Sequence, residues 1–337
     1  MQIIKRKAFA RAGLIGNPSD GYSGKTISFV VRDYYAEAIL YEWERVEIIA
    51  SQEDQSRFDS LGELVRDVEL HGYYGGIRLV KATLKRFVEY CRQQRLPLHD
   101  RNFSIRYSSN IPRQVGMAGS SAIIIAVLRA LMDFYQVEIP LPVQPSLVLS
   151  IETGELGIRG GLQDRVIQVY DGLVYMDFAE DRMVEQCGYK HGAYERLDPS
   201  LLSNVYVAYS TDVGEPTEVF HNPLWVRFNQ GDQTVVSAMK RFAELAAEAR
   251  TALLAGDQRK LGERMDENFD LRLAISPLSA QHVKMVETAR AAGGTAKYAG
   301  SGGAIVGTFP SNAEYQALRD QLSKIGCRVF QPTIAAL

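Results

Sequence analysis

The segment Asn110-Ile-Pro-Arg-Gln-Val-Gly-Met-Ala-Gly-Ser-Ser-Ala122 is the strongest local signal in the chain. It follows an alternating stretch, Phe103–Tyr107, that predicts a strand, and it opens a strongly apolar stretch, Ser120–Tyr135. Length and the preceding Gly/Ser cluster favour a buried helix there, although Ile123–Ile125 are weak helix formers. Glycines let a backbone approach a ligand closely, and the first turn of a helix offers unpaired N–H groups. The segment therefore predicts either an anion site suited to phosphate or a tight, serine-capped turn.

Strand and helix patterns continue outward from this segment in both directions. Strands are predicted at Lys7–Gly16, Thr26–Val31, Ala36–Tyr41, Val46–Ala50 and Val329–Ile334. Helices are predicted, from apolar residues at helical spacing, at Gly76–Arg92, Val235–Ala255, Leu261–Leu273, Ser279–Ala292 and Ser311–Ile325. This mixture predicts an α+β fold of two packed layers. A new strand after Leu197-Asp-Pro-Ser predicts two domains, residues 1–199 and 200–337.

Composition limits the classes of function. The chain has 337 residues, 46% of them hydrophobic and 23% charged, which is ordinary for a globular protein. Lys+Arg 38 against Asp+Glu 40 gives a net charge of −2, so no basic excess indicates a nucleic-acid or membrane partner. The three cysteines show no metal-binding or disulfide spacing. With no signal-peptide pattern and no apolar run of membrane-spanning length, we expect a cytoplasmic protein.

Two acidic residues, Glu152 and Asp164, bracket a glycine-rich turn. In a phosphoryl-transfer site, one carboxylate can hold a metal ion while the other accepts or orients a hydroxyl proton. Either residue alone is more often part of a solvated surface. Asp164, however, lies between apolar Leu162 and Val166 and close to Gly160-Gly161, which is less typical of an exposed face.

Two further segments carry candidate site residues. Arg11 lies within an apolar strand, where a buried guanidinium needs a carboxylate or phosphate partner. Asp20, at the following turn, could accept hydrogen bonds from a polyol, although a strand-end turn explains it equally well. The cluster Gly300-Ser-Gly-Gly303 either marks a bulge or lets the backbone meet a ligand.

A rival phosphate loop occurs at Gly24-Lys25-Thr26, which matches the end of a Walker A sequence. Ser19 stands where that motif begins with glycine, and Ile27–Val31 predicts a strand where the motif requires a helix. Both requirements fail, so a P-loop NTPase is disfavoured.

Several of these segments, in this order, resemble the motifs of the GHMP small-molecule kinases. The resemblance covers Arg11–Asp20, the ATP loop Pro112–Ala122 and Ala299–Ala304. Within that family the chain resembles the plant-type glucuronokinases, also at His71–Leu79, Gly161–Val166, Tyr170–Phe178 and Arg250–Leu254. The resemblance implies an N-terminal domain of ribosomal-protein-S5 type and a ferredoxin-like C-terminal domain.

The resemblance implies an ATP- and Mg²⁺-dependent kinase. Such an enzyme would phosphorylate the anomeric hydroxyl of D-glucuronate and give D-glucuronate 1-phosphate. Asp164 matches the catalytic aspartate and Arg11 the arginine that approaches it, while Ser121 and Glu152 match Mg²⁺ ligands. The ATP phosphates would lie on Gly116, Met117, Ala118, Gly119, Ser120 and Ser121. The sugar would lie against Asn17, Asp20, Asp164, Arg165 and Gly302. Galactokinases carry Glu-His where this chain has Asn17-Pro18, which counts against galactose.

A uronate carboxylate requires a basic residue in the site. The candidates beside motif residues are Arg78, Arg113, Arg159, Arg165 and Lys297. Two alternatives stay open: the same chemistry on a heptose, L-arabinose or galactose, and a non-catalytic sugar or nucleotide sensor on the same scaffold. The expected partners are a sugar acid and ATP, with no nucleic acid or membrane, in a monomer or homodimer.

Overall fold

The computed structural model describes residues 3–50, 54, 75–211 and 218–334, with the backbone alone described for 218–223. Residues 71–74, the beginning of the His71–Leu79 resemblance, lie outside these ranges. No helix within the described ranges is long and apolar enough to cross a membrane.

A large sheet dominates the first half of the chain. The strands up to residue 197 are β1 Ile3–Ile15, β2 Lys25–Trp43, β3 Glu47–Ile49, β4 Asn102–Ser109, β5 Leu173–Asp177, β6 Val184–Gln186, β7 Tyr189–His191 and β8 Ala193–Leu197. The sheet has the order β3-β4-β2-β5-β8, with β1 antiparallel to β2, and β6 pairs with β7 in a separate hairpin. From Ala10 onward β1 is buried at every residue, so the charge of Arg11 must be satisfied by groups inside the protein.

The long strand β2 replaces two predicted strands. Thr26–Val31 and Ala36–Tyr41 both lie within it, because a register shift opposite Phe9 and Ala10 absorbs three residues as a bulge without ending the strand. Lys25 begins β2, and its Nζ donates to Asp177 Oδ2 at 2.6 Å. The Walker-like stretch thus enters a strand and not a helix, which removes the P-loop alternative.

The helices of the first half are α1 Gly76–Gln93, α2 Gly119–Tyr135, α3 Val143–Ser150 and α4 Gln163–Tyr170. A π turn, Ile151–Glu155, follows α3. The predicted buried helix is confirmed as α2, which packs against β1 and β2. Ile124 and Ile125 are at most 1% exposed there, so burial outweighs their weak helix propensity.

The second half is a smaller sheet with helices. Its strands are β9 Val205–Ser210, β10 Lys297–Tyr298, β11 Ala304–Thr308 and β12 Cys327–Phe330, in the order β10-β11-β9-β12. Its helices are α5 Glu218–Asn229, α6 Gln233–Leu254, α7 Gln258–Ile275, α8 Ala280–Ala291 and α9 Asn312–Lys324. The four helices predicted for this half correspond to α6–α9, whereas α5 was not predicted and β12 is shorter than expected. The predicted α+β class is confirmed.

Between the two sheets lies a short connection. The last strand of the large sheet ends at residue 197 and the first strand of the small sheet begins at residue 205. We propose the domain boundary there, at the predicted position of residues 199 and 200. Helix α6 joins the two parts, because it packs against β2 and its Ala246 lies 3.0 Å from the position of a Cβ on Gly16, at the end of β1.

Candidate active site

The centre of the candidate site is an ion pair between Arg11 on β1 and Asp164 on α4. Arg11 Nε and Nη2 donate to the two carboxylate oxygens at 2.6 and 2.7 Å, which is bidentate geometry. Arg11 Nη1 also donates to Gly116 O at 2.5 Å and to Ala299 O at 3.1 Å. Arg11 is 5% exposed, while the Asp164 side chain is 23% exposed. One guanidinium therefore connects three of the predicted segments, and the carboxylate beside it still faces solvent.

The ATP loop turns sharply where it meets this arginine. Gly116 has φ +70° and Ala118 has φ +61°, so the chain passes twice through the left-handed region before α2 begins. A Cβ on Gly116 would lie 2.7 Å from Gly302 O, which makes glycine necessary at this crossing. The first-turn amides of α2, at Gly119 and Ser120, have no partner within the helix and sit at the positive end of its dipole. The start of α2 therefore offers the backbone donors that the predicted anion site needs, and the site stays a prediction.

Ser121 is held by a glutamine that the sequence analysis did not select. Ser121 Oγ donates to Gln168 Oε1 at 2.7 Å, and Gln168 Nε2 donates to Phe9 O and Ala118 O, both at 2.9 Å. Gln168 is 2% exposed and lies four residues after Asp164, on the same face of α4. The four-residue spacing from Asp164 was the only signal in the sequence that could have indicated it.

Glu152 pairs with Arg165 inside the protein. Arg165 Nε donates to Glu152 Oε2 at 2.6 Å, Nη2 contacts the same oxygen, and Nη1 donates to Gly161 O at 2.8 Å. Both side chains are at most 6% exposed. Burial raises the pKa of Glu152, and the guanidinium opposes that rise. Arg165, predicted to touch the sugar, thus already bonds protein groups, which favours a role in holding Glu152.

Asp20 lies at the edge of the same cluster. Its Oδ2 accepts from the Gln163 amide at 3.2 Å, and a Cβ on Gly161 would overlap this oxygen. Burial, followed by the nearby Asp164 carboxylate, raises the pKa of Asp20 from 3.8 to about 6. Asp20 is therefore near enough to Asp164 for the two carboxylates to affect each other, and its contact with a sugar stays a prediction.

Asn17 is engaged by a buried lysine. Lys297 Nζ donates to Asn17 Oδ1 at 2.6 Å, to Gly13 O at 2.7 Å and to Tyr298 O at 2.6 Å. Lys297 is 1% exposed, and burial lowers its pKa well below the usual value. Three protein oxygens occupy its three donors, so Lys297 is not placed to bind a substrate carboxylate directly.

The glycine cluster packs directly on the ATP loop. A Cβ on Gly300 would overlap Gly116 O, and one on Gly303 would lie 2.8 Å from Val115 Cα. Gly302 has φ +146° and Gly303 has φ +80°, conformations that side chains disfavour. Gly302, predicted to contact the sugar, accordingly lies beside Gly116. The loop Gly300–Gly303 of the small sheet thus lies against the site that β1, α2 and α4 form.

Known proteins resemble this chain in sequence and in fold. A family model described as the GHMP kinases N-terminal domain matches residues 78–172. The chain is 43% identical to probable glucuronokinase 2 of Arabidopsis thaliana over 332 residues, which cover 96% of this chain and 89% of the relative. It is 42% identical to glucuronokinase 1 of the same plant, over 96% of this chain and 90% of the relative. Lactococcus lactis galactokinase, solved with galactose, is 16% identical and shares the fold with a TM-score of 0.78, over 99% of this chain and 94% of that one.

Proposed function

Because the chain belongs to the GHMP kinase family, in the group that contains the Arabidopsis glucuronokinases, we propose that it transfers the γ-phosphoryl group of ATP to the anomeric hydroxyl of D-glucuronate. The product is D-glucuronate 1-phosphate. The observation that carries the proposal is the bidentate Arg11–Asp164 pair, whose arginine also bonds Gly116 of the ATP loop. The candidate base, Asp164, and the ATP loop thus bond the same guanidinium group.

Asp164 is the proposed base for the acceptor hydroxyl. The adjacent Arg11 guanidinium favours the ionised carboxylate, which can accept a proton or orient the hydroxyl for attack. An anomeric hydroxyl is more acidic than an ordinary alcohol, so a weak base is sufficient. Phosphoryl transfer through a loose transition state depends mainly on positioning and charge, which this rigid pair supplies.

The loop Gly116–Ser121 is the proposed site of the ATP phosphates. Two of its residues, Gly116 and Ala118, have left-handed backbone conformations, and the first-turn amides of α2 that follow have no partner within the helix. Ser120, half-buried beside them, adds a hydroxyl that can donate to a phosphate oxygen.

Ser121 and Glu152 are the proposed ligands of Mg²⁺. Ser121 gives its hydroxyl hydrogen to Gln168, which leaves oxygen lone pairs for a cation, and Glu152 bonds Arg165 through Oε2, leaving Oε1 for the ion. Mg²⁺ is usually held by one or two protein ligands together with substrate phosphates and water. When bound, the ion would neutralise phosphate charge.

Among the five basic residues considered for the substrate carboxylate, Arg165 and Lys297 bond protein oxygens. Of the other three, Arg159 is the one next to the glycine pair that contacts Asp20. It is exposed, stacks 5.4 Å from the Trp225 ring, and immediately precedes Gly160-Gly161, which borders Asp20. We assign the carboxylate to Arg159, which can bind it in two hydrogen bonds.

The test of the proposed function is ADP release with a panel of acceptors at equal concentration, with and without Mg²⁺. We expect D-glucuronate to give the highest kcat/KM, and chelation of the metal to abolish turnover. Higher kcat/KM with galactose, L-arabinose or a heptose would reassign the acceptor. Saturable sugar or nucleotide binding without ADP release would instead indicate a sensor. The cytoplasmic location and the monomer or homodimer state stay predictions.

Asp20 gives the proposal a pH signature. Only its ionised form accepts hydrogen bonds from two sugar hydroxyls, and its pKa of about 6 lies far above the usual value for aspartate. Lowering the pH from 8 to 5 should therefore raise the KM for the sugar about tenfold, as the ionised fraction falls to about a tenth. The KM for ATP should change much less. In Asp20→Asn the sugar KM should be high and nearly independent of pH; a wild-type pH profile in that variant would contradict the assignment.

A further inference from the structure

We propose that Arg272 is a positioning residue, which directs the backbone amides of Ser301 and Gly302 at an anionic oxygen of the bound substrates. The inference deepens the proposed function and rests on it, since the kinase site supplies the anion. Arg272 lies on α7, outside every motif selected from the sequence.

Arg272 hydrogen-bonds to two carbonyl groups of the glycine loop Gly300–Gly303. Its Nη1 donates to Gly300 O at 2.8 Å and its Nη2 to Ser301 O at 3.3 Å. The side chain is 5% exposed and its guanidinium lies 5.2 Å from the Tyr298 ring. Burial lowers the pKa of Arg272 to about 10, so at neutral pH this is a charged group that bonds carbonyl oxygens. A buried cation used in this way fixes the direction of two peptide groups.

The direction of those carbonyls determines where the next amides point. In a trans peptide the C=O of one residue and the N–H of the next point in opposite directions. Since Gly300 O and Ser301 O both point at Arg272, the N–H groups of Ser301 and Gly302 both point away from it. Two successive amides on one side of a glycine turn form a concave donor pair suited to an anion.

The side opposite Arg272 is the candidate active site. A Cβ on Gly116 would lie 3.1 Å from the Ser301 amide nitrogen, and one on Gly300 would lie 2.8 Å from Arg11 Nη1. The Ser301 amide therefore lies beside the ATP loop, and the preceding residue, Gly300, lies beside the arginine that holds Asp164.

Neither amide has a hydrogen-bond partner among the described residues. Gly302 is buried and Ser301 is half-buried. Buried backbone donors are almost always paired, because leaving one unpaired costs about 1–3 kcal/mol. An unpaired donor pair at the meeting point of two motif loops indicates that a ligand completes it.

The ligand chemistry that fits is an anionic oxygen, from either the transferring phosphoryl group or the substrate carboxylate. Contact with the ATP loop favours the phosphoryl group. Preorganised amides in such a position stabilise charge as it develops in the transition state.

The test compares Arg272→Met, which removes the guanidinium, and Arg272→Lys, which keeps a charge but cannot bond both carbonyls. Arg227→Met is the matched control, because Arg227 Nη1 also donates to a backbone carbonyl, Ile275 O at 2.7 Å, in the same half of the chain. Calorimetry measures binding of AMP-PNP and ADP with Mg²⁺, and of glucuronate and its neutral analogue glucuronamide. These titrations need no turnover, so their result is independent of whether glucuronate is the acceptor.

We expect Arg272→Met to weaken AMP-PNP binding about tenfold or more and ADP binding less than twofold, with Arg272→Lys in between. That result supports the proposal with the phosphoryl group as ligand. Selective loss of glucuronate over glucuronamide binding, with both nucleotides unchanged, supports it with the carboxylate as ligand. Equal weakening of all four ligands, or no change beyond that of Arg227→Met, would overturn it.

Discussion

Replacing Asp164 by asparagine should lower kcat by about 10³-fold, within the range of roughly 10²–10⁴ that general-base catalysis supplies. Asparagine has nearly the same shape and can still accept one hydrogen bond from Arg11, but it cannot take a proton from the acceptor hydroxyl. We expect ATP binding to persist, because the ATP loop and α2 are unchanged. The measurements are kcat by ADP release and nucleotide affinity by calorimetry.

Asp171→Asn is the control for this substitution. Asp171 follows the same helix and also pairs with an arginine, with Arg32 Nη2 at 2.6 Å, but its side chain is 37% exposed and lies outside the candidate site. Its turnover should stay within about twofold of wild type. If Asp164→Asn turned over at a similar rate, Asp164 would not be the base.

Replacing Arg165 by methionine should lower the free energy of unfolding by about 3–5 kcal/mol, because it leaves the Glu152 carboxylate buried without its counter-ion. The double variant Arg165→Met, Glu152→Gln removes both charges and should recover much of that loss. Recovery of stability without recovery of activity is expected if Glu152 also holds Mg²⁺. Denaturant unfolding and ADP release measure the two effects separately.

Arg250→Met is the matched control for the buried pair. Arg250 makes the same kind of bidentate pair with Glu195, at 2.7 and 2.8 Å, but the two side chains are 34% and 44% exposed. Exposed pairs contribute about 0–1 kcal/mol, so this variant should be nearly as stable as wild type. Equal losses in Arg165→Met and Arg250→Met would show that burial is not what makes the Glu152 pair important.

The fold was predictable where one local pattern decides the structure. Helix α2 follows from an apolar run too long for a strand, and α9 begins directly after Ser311, the predicted start of that helix, whose side chain accepts from the Ala313 amide. The extent of β2 was not predictable, because the polar residues Arg32 and Asp33 look like a turn and only pairing with β1 shows that they form a bulge.

In the site, charge complementarity predicted that Arg11 has a carboxylate or phosphate partner, since an arginine in an apolar strand needs an anion, and the family resemblance indicated that this partner is Asp164. Gln168 and Arg272 were missed for a different reason. Their roles come from bonds to backbone carbonyls far away in sequence, and no spacing of residue types records such bonds. Arg165 and Asn17 were predicted to contact the sugar because they lie in or beside motifs. In the structure they bond Glu152 and Lys297, residues that are not their neighbours in sequence and that only the folded chain brings near.

The single guanidinium of Arg11 bonds the Asp164 carboxylate, the ATP loop and the Ala299 carbonyl together, so in the proposed site the two substrates should not bind independently. A sugar that hydrogen-bonds to the Asp164 carboxylate would change the hydrogen bond from Arg11 to Gly116. A nucleotide that moves Gly116 would change the hydrogen bonds from Arg11 to the carboxylate. Thermodynamic reciprocity then requires each substrate to change the affinity of the other by the same factor. Coupling between donor and acceptor, of either sign, would therefore depend on one side chain of a central strand.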